Sequence, residues 1–244
     1  METHILSRTE KHIHILRKIY KMKLLFIDTA NLEEIRSALE RGVVQGVTTN
    51  PSLLSKEPQT DFYLHIQKIA DICTELGPGI PLSVEVFAET PTGMISQAQE
   101  IMETVSYSNL NIKIPVGYDE LRVINELNRL GININCTCCF TATQLQLAAL
   151  AGARYVSLFY NRALDSQINT LQVLRRTRKF IDANNLTCEI IAGSIRNAYD
   201  LEDCWDAGCD IVTASAAVIK KSMIHPKTDE SINGFLKDFE AWIK

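Results

Sequence analysis

Short apolar runs alternate with longer amphipathic runs along almost the whole chain after Met22. The apolar runs have strand length and lie at 24–28, 44–48, 81–87, 110–115, 132–139, 154–159, 187–193 and 210–214. The runs between them have helical spacing and lie at 31–41, 51–56 with 61–76, 91–106, 118–130, 141–152, 169–184, 197–207 and 215–224. This alternation predicts an α/β protein with a single (β/α)8 barrel, the TIM barrel. A further helical pattern at 228–243 predicts an extra C-terminal helix.

The main competitor is a doubly wound open sheet. Such a sheet normally carries a glycine-rich phosphate turn after its first strand. Here that turn reads Asp28-Thr29-Ala30-Asn31 and contains no glycine. The length of 244 residues is also close to the roughly 250 that a closed barrel typically needs. The closed barrel is therefore favoured, as one domain over 22–244.

The first 21 residues differ from the rest of the chain. They are basic, and they lack the continuous apolar core of a signal peptide. The first strand pattern begins directly after Met22, so we predict that 1–21 is an N-terminal extension outside the fold. No apolar stretch is long enough to cross a bilayer, which argues against a membrane partner. The net charge of -4 argues against a nucleic-acid partner, since general nucleic-acid binders are basic.

Cysteine usage favours a reducing, cytoplasmic location. The chain has seven cysteines, an odd number, mostly in apolar runs. Cys136-Thr137-Cys138-Cys139 is the densest group, but no second Cys or His pair stands at zinc-ligand spacing. We therefore predict buried thiols and no metal. Strand alternation turns Cys136 and Cys138 away from the barrel lumen.

Polar residues interrupt several of the predicted strands. Barrel strands are buried on both faces, so a charge there is unfavourable unless it serves a purpose. Alternation puts Lys113 on one face with Asn111 and Pro115, opposite Ile112 and Ile114. Each polar residue alone is compatible with a buried salt bridge or a solvated strand end. The same alternation gathers a whole set in one lumen, near the strand ends where barrel active sites form: Asp28, Glu85, Lys113, Asn135, Thr137 and Ser157.

The lysine determines the predicted chemistry. A lysine among apolar residues loses the solvation of its ammonium form, which favours the free amine. A free amine attacks a ketone and forms a protonated imine, an electron sink that lets the adjacent carbon–carbon bond break. We therefore predict a Schiff-base aldolase or transaldolase with Lys113 as its covalent catalyst. Asp28 is the candidate base for the substrate hydroxyl, and Glu85 with Thr137 could relay protons through water.

A cationic and hydroxylic set follows the later strands. Arg162 comes after the sixth strand, and Ser194 and Arg196 come after the seventh. Loops at these places frequently bind phosphate, and arginine forks match its oxygens. The alternative for each arginine alone is a surface pair with a carboxylate. Together they favour an anion site, and hence a small anionic substrate.

These residues resemble the transaldolases, in particular the small single-domain bacterial type. The resemblance covers nearly everything after Met22. Its markers are Phe26-Ile27-Asp28-Thr29-Ala30-Asn31, Gly46-Val47-Thr48-Thr49-Asn50-Pro51-Ser52-Leu53, Ile112-Lys113-Ile114-Pro115, Asn161-Arg162, Ala192-Gly193-Ser194-Ile195-Arg196 and His225-Pro226-Lys227-Thr228-Asp229.

The resemblance implies a role for each site residue. Lys113 matches the Schiff-base lysine, Asp28 the acid/base carboxylate, and Glu85 with Thr137 the pair that holds the reacting water. Residues that match those holding a bound dihydroxyacetone unit are Asn50, Asn135 and Ser157, with Phe159 also at the substrate. The group that matches the phosphate site is Arg162, Ser194 and Arg196. The resemblance further implies no metal or organic cofactor, and homo-oligomeric rings, often decamers, assembled through the C-terminal helix.

The residue types at three positions favour one of the reactions known in this family. Fructose-6-phosphate aldolases, which release free dihydroxyacetone, typically have Gln at the position of Glu85 and Tyr at the position of Phe159. They also lack the asparagine that matches Asn135. The resemblance therefore favours transfer of a dihydroxyacetone unit from a ketose 6-phosphate, such as fructose 6-phosphate, to an aldose phosphate. Gly193 stands beside the anion site where alanine is usual, which leaves open a 6-deoxy-6-sulfofructose transaldolase. An inactive barrel scaffold is the non-enzyme alternative, and it predicts loss of the lysine or its carboxylates.

Overall fold

Eight parallel strands close into a barrel in the computed structural model, which describes residues 22–243. The strands pair in chain order, and the eighth pairs with the first. They are β1 (Leu24–Asp28), β2 (Val47–Thr48), β3 (Leu82–Glu85), β4 (Leu110–Pro115), β5 (Asn133–Cys139), β6 (Tyr155–Phe159), β7 (Glu189–Gly193) and β8 (Ile211–Ala214). The predicted extension 1–21 lies outside the described residues.

Helices follow the strands and cover the outside of the barrel. They are α1 (Leu32–Glu40), α2 (Pro51–Leu54), α3 (Phe62–Leu76), α4 (Pro91–Thr104), α5 (Glu120–Arg129), α6 (Ala142–Leu150), α7 (Tyr160–Asp165), α8 (Thr170–Ala183), α9 (Ala198–Asp206), α10 (Ala216–Ser222) and α11 (Pro226–Trp242). The prediction of a (β/α)8 barrel with an extra C-terminal helix is confirmed.

Helix starts follow the capping chemistry in the sequence. Thr90 and Thr141 precede α4 and α6, and each accepts a hydrogen bond from a backbone N–H of the first turn. Such caps satisfy donors that have no partner inside the helix. The predicted helix end at Gly131 is a residue with φ of 80°, a conformation that favours glycine.

Two separate apolar layers hold the barrel together. Most buried aliphatic residues lie between strands and helices, among them Ile112 and Ile114 of β4, both fully buried. A smaller cluster fills the lumen below the polar residues and consists of Leu24, Phe26, Tyr155, Ile191 and Ile211. The lumen is thus closed by side chains at one end, and its polar residues face the other end, where the strands terminate.

Three details differ from the sequence prediction. β2 is restricted to two residues, and Gly46 before it lies against the Phe26 ring, where an added Cβ would come within 2.5 Å of a ring carbon. Asn161 and Arg162 lie in α7, a short helix that was predicted as loop. β5 has a register irregularity between Cys136 and Cys139, where it pairs with β6.

Candidate active site

Lys113 lies in the lumen beside Glu85. Its Nζ is 3.0 Å from Glu85 Oε2 and donates a hydrogen bond to the Thr49 carbonyl oxygen at 2.7 Å. The two residues are direct partners across β3 and β4, so the strand register fixes the pair. Lys113 is only 5% exposed. The amine is therefore buried, as predicted, but its surroundings are polar and ion-paired, because the ladder places a carboxylate directly across from it.

Asp28 ends β1 and faces the same space. Its Oδ1 accepts a hydrogen bond from the Thr48 hydroxyl at 2.7 Å, and the Thr48 hydroxyl contacts the Thr213 hydroxyl at 2.6 Å. Burial raises the pKa of Asp28 above its usual value, and the charge of Lys113 partly opposes that increase. A buried carboxyl group with a raised pKa is suited to take up a proton as a base and to return it as an acid.

Asn135, Ser157 and Thr137 line the neighbouring wall. Ser157 Oγ donates to Asn135 Oδ1 at 2.6 Å, and Asn135 Nδ2 donates to Ser83 Oγ at 3.2 Å. Asn135 pairs with Lys113 across β4 and β5, so this network begins beside the amine. The Thr137 hydroxyl is buried and has no hydrogen-bond partner within residues 22–243. A buried hydroxyl without a partner is costly, which marks Thr137 as a group available to water or substrate.

Asn50 lies where β2 turns into α2. Its side chain accepts a hydrogen bond from the Leu53 backbone N–H at 3.1 Å and so caps the helix, with Pro51 in the first turn. The same turn carries the Thr49 carbonyl that holds Lys113. One short segment thus contacts two reactive groups: Thr49 bonds the amine of Lys113, and Thr48 bonds the carboxylate of Asp28. The half-buried side-chain amide of Asn50 lies directly after them.

The predicted anion set is divided between two environments. The guanidinium of Arg162 lies over the Phe159 ring, 4.6 Å from its centroid, and its charge acts on Asp28 to lower the pKa. Arg196 is exposed and forms a two-pronged ion pair with Asp165, with one N–O distance of 2.8 Å. Arg162 is also exposed, but it lies against Phe159 at the end of β6 and not against a carboxylate. Arg196 is occupied by a carboxylate, as the surface-pair alternative for this arginine predicted.

Ser194 is positioned by the loop after β7. It has φ of 60°, and its carbonyl accepts a hydrogen bond from Asn161 Nδ2 at 2.9 Å. Asn161 also donates to Asp200 at 2.6 Å, and Asp200 accepts from the Arg196 backbone N–H at 2.8 Å. This brace fixes the loop ends after β6 and β7 to each other. Sequence reasoning missed Asp200, although Asn197 and Asp200 have the spacing of a capping box at the start of α9, which is the signal that could have found it.

Cys138 does not follow the predicted alternation. It has φ of 61°, is half-buried, and lies in the irregular part of β5. Burial raises the pKa of its thiol, and the charge of Glu85 raises it further while that of Lys113 opposes it. Cys139 instead is fully buried with its Sγ 3.8 Å from Cys136 Sγ. The prediction that Cys138 shares the face of Cys136 is wrong, because the irregularity inserts one residue into the count.

The described residues contain no group of three or more His, Cys, Asp or Glu side chains that could hold a metal ion. Among residues 22–243, no helix combines the length and apolar character that crossing a membrane requires. All seven cysteines lie in this range and are free.

Comparisons with known proteins agree on one family. The profile of the transaldolase/fructose-6-phosphate aldolase family matches residues 25–243. A protein of Clostridium botulinum (strain Eklund 17B / Type B) described as a probable transaldolase is 40% identical over 220 residues, which cover 90% of this chain and 99% of that protein. A probable transaldolase of Roseiflexus castenholzii is 37% identical over 218 residues, which cover 89% of this chain and 97% of the relative.

Solved structures of lower identity share the barrel. A thiamine phosphate pyrophosphorylase from Pyrococcus furiosus superposes with a TM-score of 0.56 at 15% identity, covering 83% of this chain and 90% of that one. A structure described as native KDPGal superposes with a TM-score of 0.55 at 16% identity, covering 79% and 82%. At these identities the likeness shows the fold alone.

The fold and the site define a (β/α)8 barrel of the enzyme type, with its reactive groups gathered at the C-terminal ends of the strands. Within that class, the chain belongs to the transaldolase/fructose-6-phosphate aldolase family.

Proposed function

We propose that this protein is a transaldolase that works through a Schiff base on Lys113, without a metal. It transfers a dihydroxyacetone unit from a ketose 6-phosphate such as fructose 6-phosphate to an aldose phosphate such as erythrose 4-phosphate. The observation that carries the proposal is the buried amine of Lys113, 3.0 Å from the Glu85 carboxylate and in the same lumen as Asp28.

Imine formation is the first step. The ammonium of Lys113 gives a proton to Glu85, and the free amine adds to the C2 carbonyl of the ketose. The C2 oxygen leaves as water after it has taken two protons. One proton comes from the attacking nitrogen, and Glu85 returns the other, directly or through a water held by the Thr137 hydroxyl. The 3.0 Å contact of Lys113 and Glu85 and the unpaired hydroxyl of Thr137 support these roles.

Bond cleavage uses Asp28 as the base. Asp28 removes the proton of the C4 hydroxyl, the C3–C4 bond breaks, and its electron pair moves into the iminium to give an enamine. The aldehyde fragment leaves, and the enamine attacks the aldehyde of the acceptor. Asp28 then gives its proton to the new alkoxide, and water hydrolyses the product iminium by the reverse of the first step, which frees Lys113. The raised pKa of Asp28 supports a group that both takes and returns a proton.

The remaining site residues bind the sugar. Asn135 and Ser157, with Asn50, hold the dihydroxyacetone hydroxyls, and their hydrogen-bond network beside Lys113 supports this assignment. Phe159 stacks under Arg162 and orients it towards the anion. Arg162, Ser194 and Arg196 bind the terminal phosphate, which requires Arg196 to exchange its bond with Asp165 for a bond with substrate.

Trapping tests the covalent step. The protein is incubated with fructose 6-phosphate, reduced with borohydride, digested and analysed by peptide mass. We expect the reduced adduct on the peptide that contains Lys113 and none in Lys113→Met. Lys23→Met is the matched control, because Lys23 bonds the Cys209 carbonyl at the other end of the barrel, and it should keep the adduct. No adduct with any ketose donor would contradict the proposal.

A donor–acceptor panel then separates the related reactions. Turnover that depends on erythrose 4-phosphate indicates transfer, whereas release of free dihydroxyacetone without an acceptor indicates an aldolase. Replacement of fructose 6-phosphate by 6-deoxy-6-sulfofructose tests sulfonate in the anion site. Glu85, Phe159 and Asn135 support transfer. Trapping without turnover of any pair would favour an inactive barrel.

We further propose a cytoplasmic homo-oligomer assembled through α11. One face of this helix carries exposed apolar side chains, and no residue of the helix is buried. These side chains are Ile232, Phe235, Leu236, Phe239 and Trp242, and the exposed Ile243 follows directly after the helix. Their spacing of three and four residues makes a continuous stripe, which a second copy of the chain would cover. Seven free thiols support a reducing compartment.

A further inference from the structure

Two threonine hydroxyls, one on each strand beside β1, form a hydrogen-bonded chain that ends on Asp28. Thr48 lies on β2 and Thr213 on β8, and both strands pair with β1, which carries Asp28. Thr48 is 3% exposed and Thr213 is 5% exposed. The distances are 2.7 Å from Thr48 Oγ1 to Asp28 Oδ1 and 2.6 Å from Thr48 Oγ1 to Thr213 Oγ1. Three neighbouring strands thus present one unbroken chain of oxygens.

The direction of this chain follows from valence. An ionised carboxylate is only an acceptor, so Thr48 must use its single hydroxyl proton on Asp28. The contact between Thr48 and Thr213 then forms only if Thr213 is the donor. Each bond polarises the next, which strengthens the bond that reaches the carboxylate. A neutral, protonated Asp28 accepts a weaker bond and gains less from the chain.

We propose that Thr213 is a positioning residue of the reaction, which acts through Thr48 to hold Asp28 in its ionised, base-competent form. The inference rests on the proposed function, in which Asp28 removes the hydroxyl proton of the substrate. Thr213 touches neither the amine nor Asp28 in the contacts described, and its effect passes through the Thr48 hydroxyl.

The charged groups around Asp28 explain why hydrogen bonds from neutral groups are useful there. Burial raises its pKa, Lys113 on β4 and Arg162 on α7 lower it, and Glu85 on β3 raises it. In the proposed reaction Lys113 changes from an ammonium to a neutral amine and then to an iminium, so its electrostatic effect on Asp28 changes within one turnover. The two threonines are neutral and remain constant, and they favour the carboxylate at every stage.

The first measurement is independent of turnover. The protein is labelled with 13C at the aspartate carboxyl carbons, and the resonance of Asp28 is assigned by its loss in Asp28→Asn. We expect the midpoint of its titration to rise by about half a pH unit in Thr213→Val, and by about one unit in Thr48→Val. Thr213→Ser keeps the hydroxyl and should restore the wild-type midpoint. Thr213→Ala serves in place of the valine variant if the latter does not fold.

The second measurement is the pH profile of kcat/KM. In Thr213→Val the acid limb of this profile should move to higher pH by the same amount, and activity at pH values above the limb should be retained. In Thr213→Ser the limb should lie where it does in the wild type. Thr177→Val is the matched control, because this fully buried hydroxyl bonds the Val173 carbonyl in α8, away from the lumen. A uniform loss of activity in Thr213→Val, with both midpoints unchanged, would overturn the inference. Failure of borohydride trapping with an intact carboxyl titration would instead count against the proposed function alone.

Discussion

Asp28 has a raised pKa because burial removes water from its carboxylate. The folded protein therefore binds this proton more tightly than the unfolded chain does, so ionisation of Asp28 lowers the free energy of unfolding. The penalty is present above the folded-state pKa and disappears as the pH falls below the ordinary value of 3.8. Sites that require strain or unfavourable charge commonly reduce stability in this way.

We expect Asp28→Asn to be more stable than the wild type at pH 7 to 8, with the gain lost on acidification. Asn is the suitable replacement because its Oδ1 still accepts the Thr48 hydrogen bond. Urea unfolding at several pH values measures the difference. Equal stability across the whole range would show that the neighbouring cations fully offset the burial of Asp28.

Substitution of Thr137 should lower activity without lowering stability. Its buried hydroxyl lacks a protein partner within residues 22–243, so Thr137→Val should leave the free energy of unfolding unchanged or raise it by about 1 kcal/mol. Activity should fall about 100-fold if the hydroxyl holds the reacting water. Thr177→Val is the control, since that hydroxyl is bonded and its loss should cost about 1 kcal/mol without loss of activity. Full activity in Thr137→Val would contradict the assigned role.

Single residues differ in how much of their role the sequence reveals. Lys113 and Glu85 are charges in apolar strands, and alternation alone predicts that they share a lumen. Thr48 and Thr213 are threonines in strands, where this residue type is common for its shape. Thr48 lies in one of the segments that carry the family resemblance, but nothing in the sequence pattern connects either hydroxyl with Asp28. The contact of Thr48 with Asp28 and that of Thr213 with Thr48 depend on the register between β1 and its two neighbours, which only the closed barrel fixes.

At the level of elements, α7 and the loop after β7 carry one arginine each, and the two arginines have different partners. Arg162 stacks on Phe159, and Arg196 is bonded to Asp165. We expect Arg162→Ala to raise the KM for fructose 6-phosphate by about tenfold or more, through loss of charge-assisted hydrogen bonds to the anion. Arg196→Ala should have a smaller effect, because the free enzyme already satisfies that guanidinium. Kinetics with unphosphorylated fructose provide the control, since its KM should change little in either variant.

Strand β5 shows where element prediction fails. Its bounds, its Asn135 and its Thr137 follow the pattern expected from alternation. The irregularity before Cys139 then shifts the count by one, and Cys138 adopts a left-handed backbone conformation. Cysteine has no strong preference for such a bulge, so the run Cys136-Thr137-Cys138-Cys139 carries no warning of it. The short helix α7 was missed for a similar reason, because its six residues are too few to show a helical period.

At the level of the whole molecule, the apolar stripe of α11 predicts assembly. Phe239→Glu should place a charge in the proposed interface and reduce the molar mass measured by light scattering, while the circular dichroism of the barrel stays unchanged. Lys237→Glu, on the opposite side of the same helix, is the control and should keep the assembled mass. A wild-type mass of 27.4 kDa, that of one chain, would contradict the proposal directly.

The sequence by itself determined the barrel and most of the residues in its lumen. The alternation within buried strands and the caps of amphipathic helices are local properties of the sequence. Each βα unit repeats them, so many independent signals indicate the same fold. The tertiary structure alone decided which polar atoms meet: the Lys113–Glu85 pair, the Thr213–Thr48–Asp28 chain and the bond that occupies Arg196. These contacts join residues far apart in the chain, and they depend on strand register and loop path at a precision of about 1 Å that no local preference encodes.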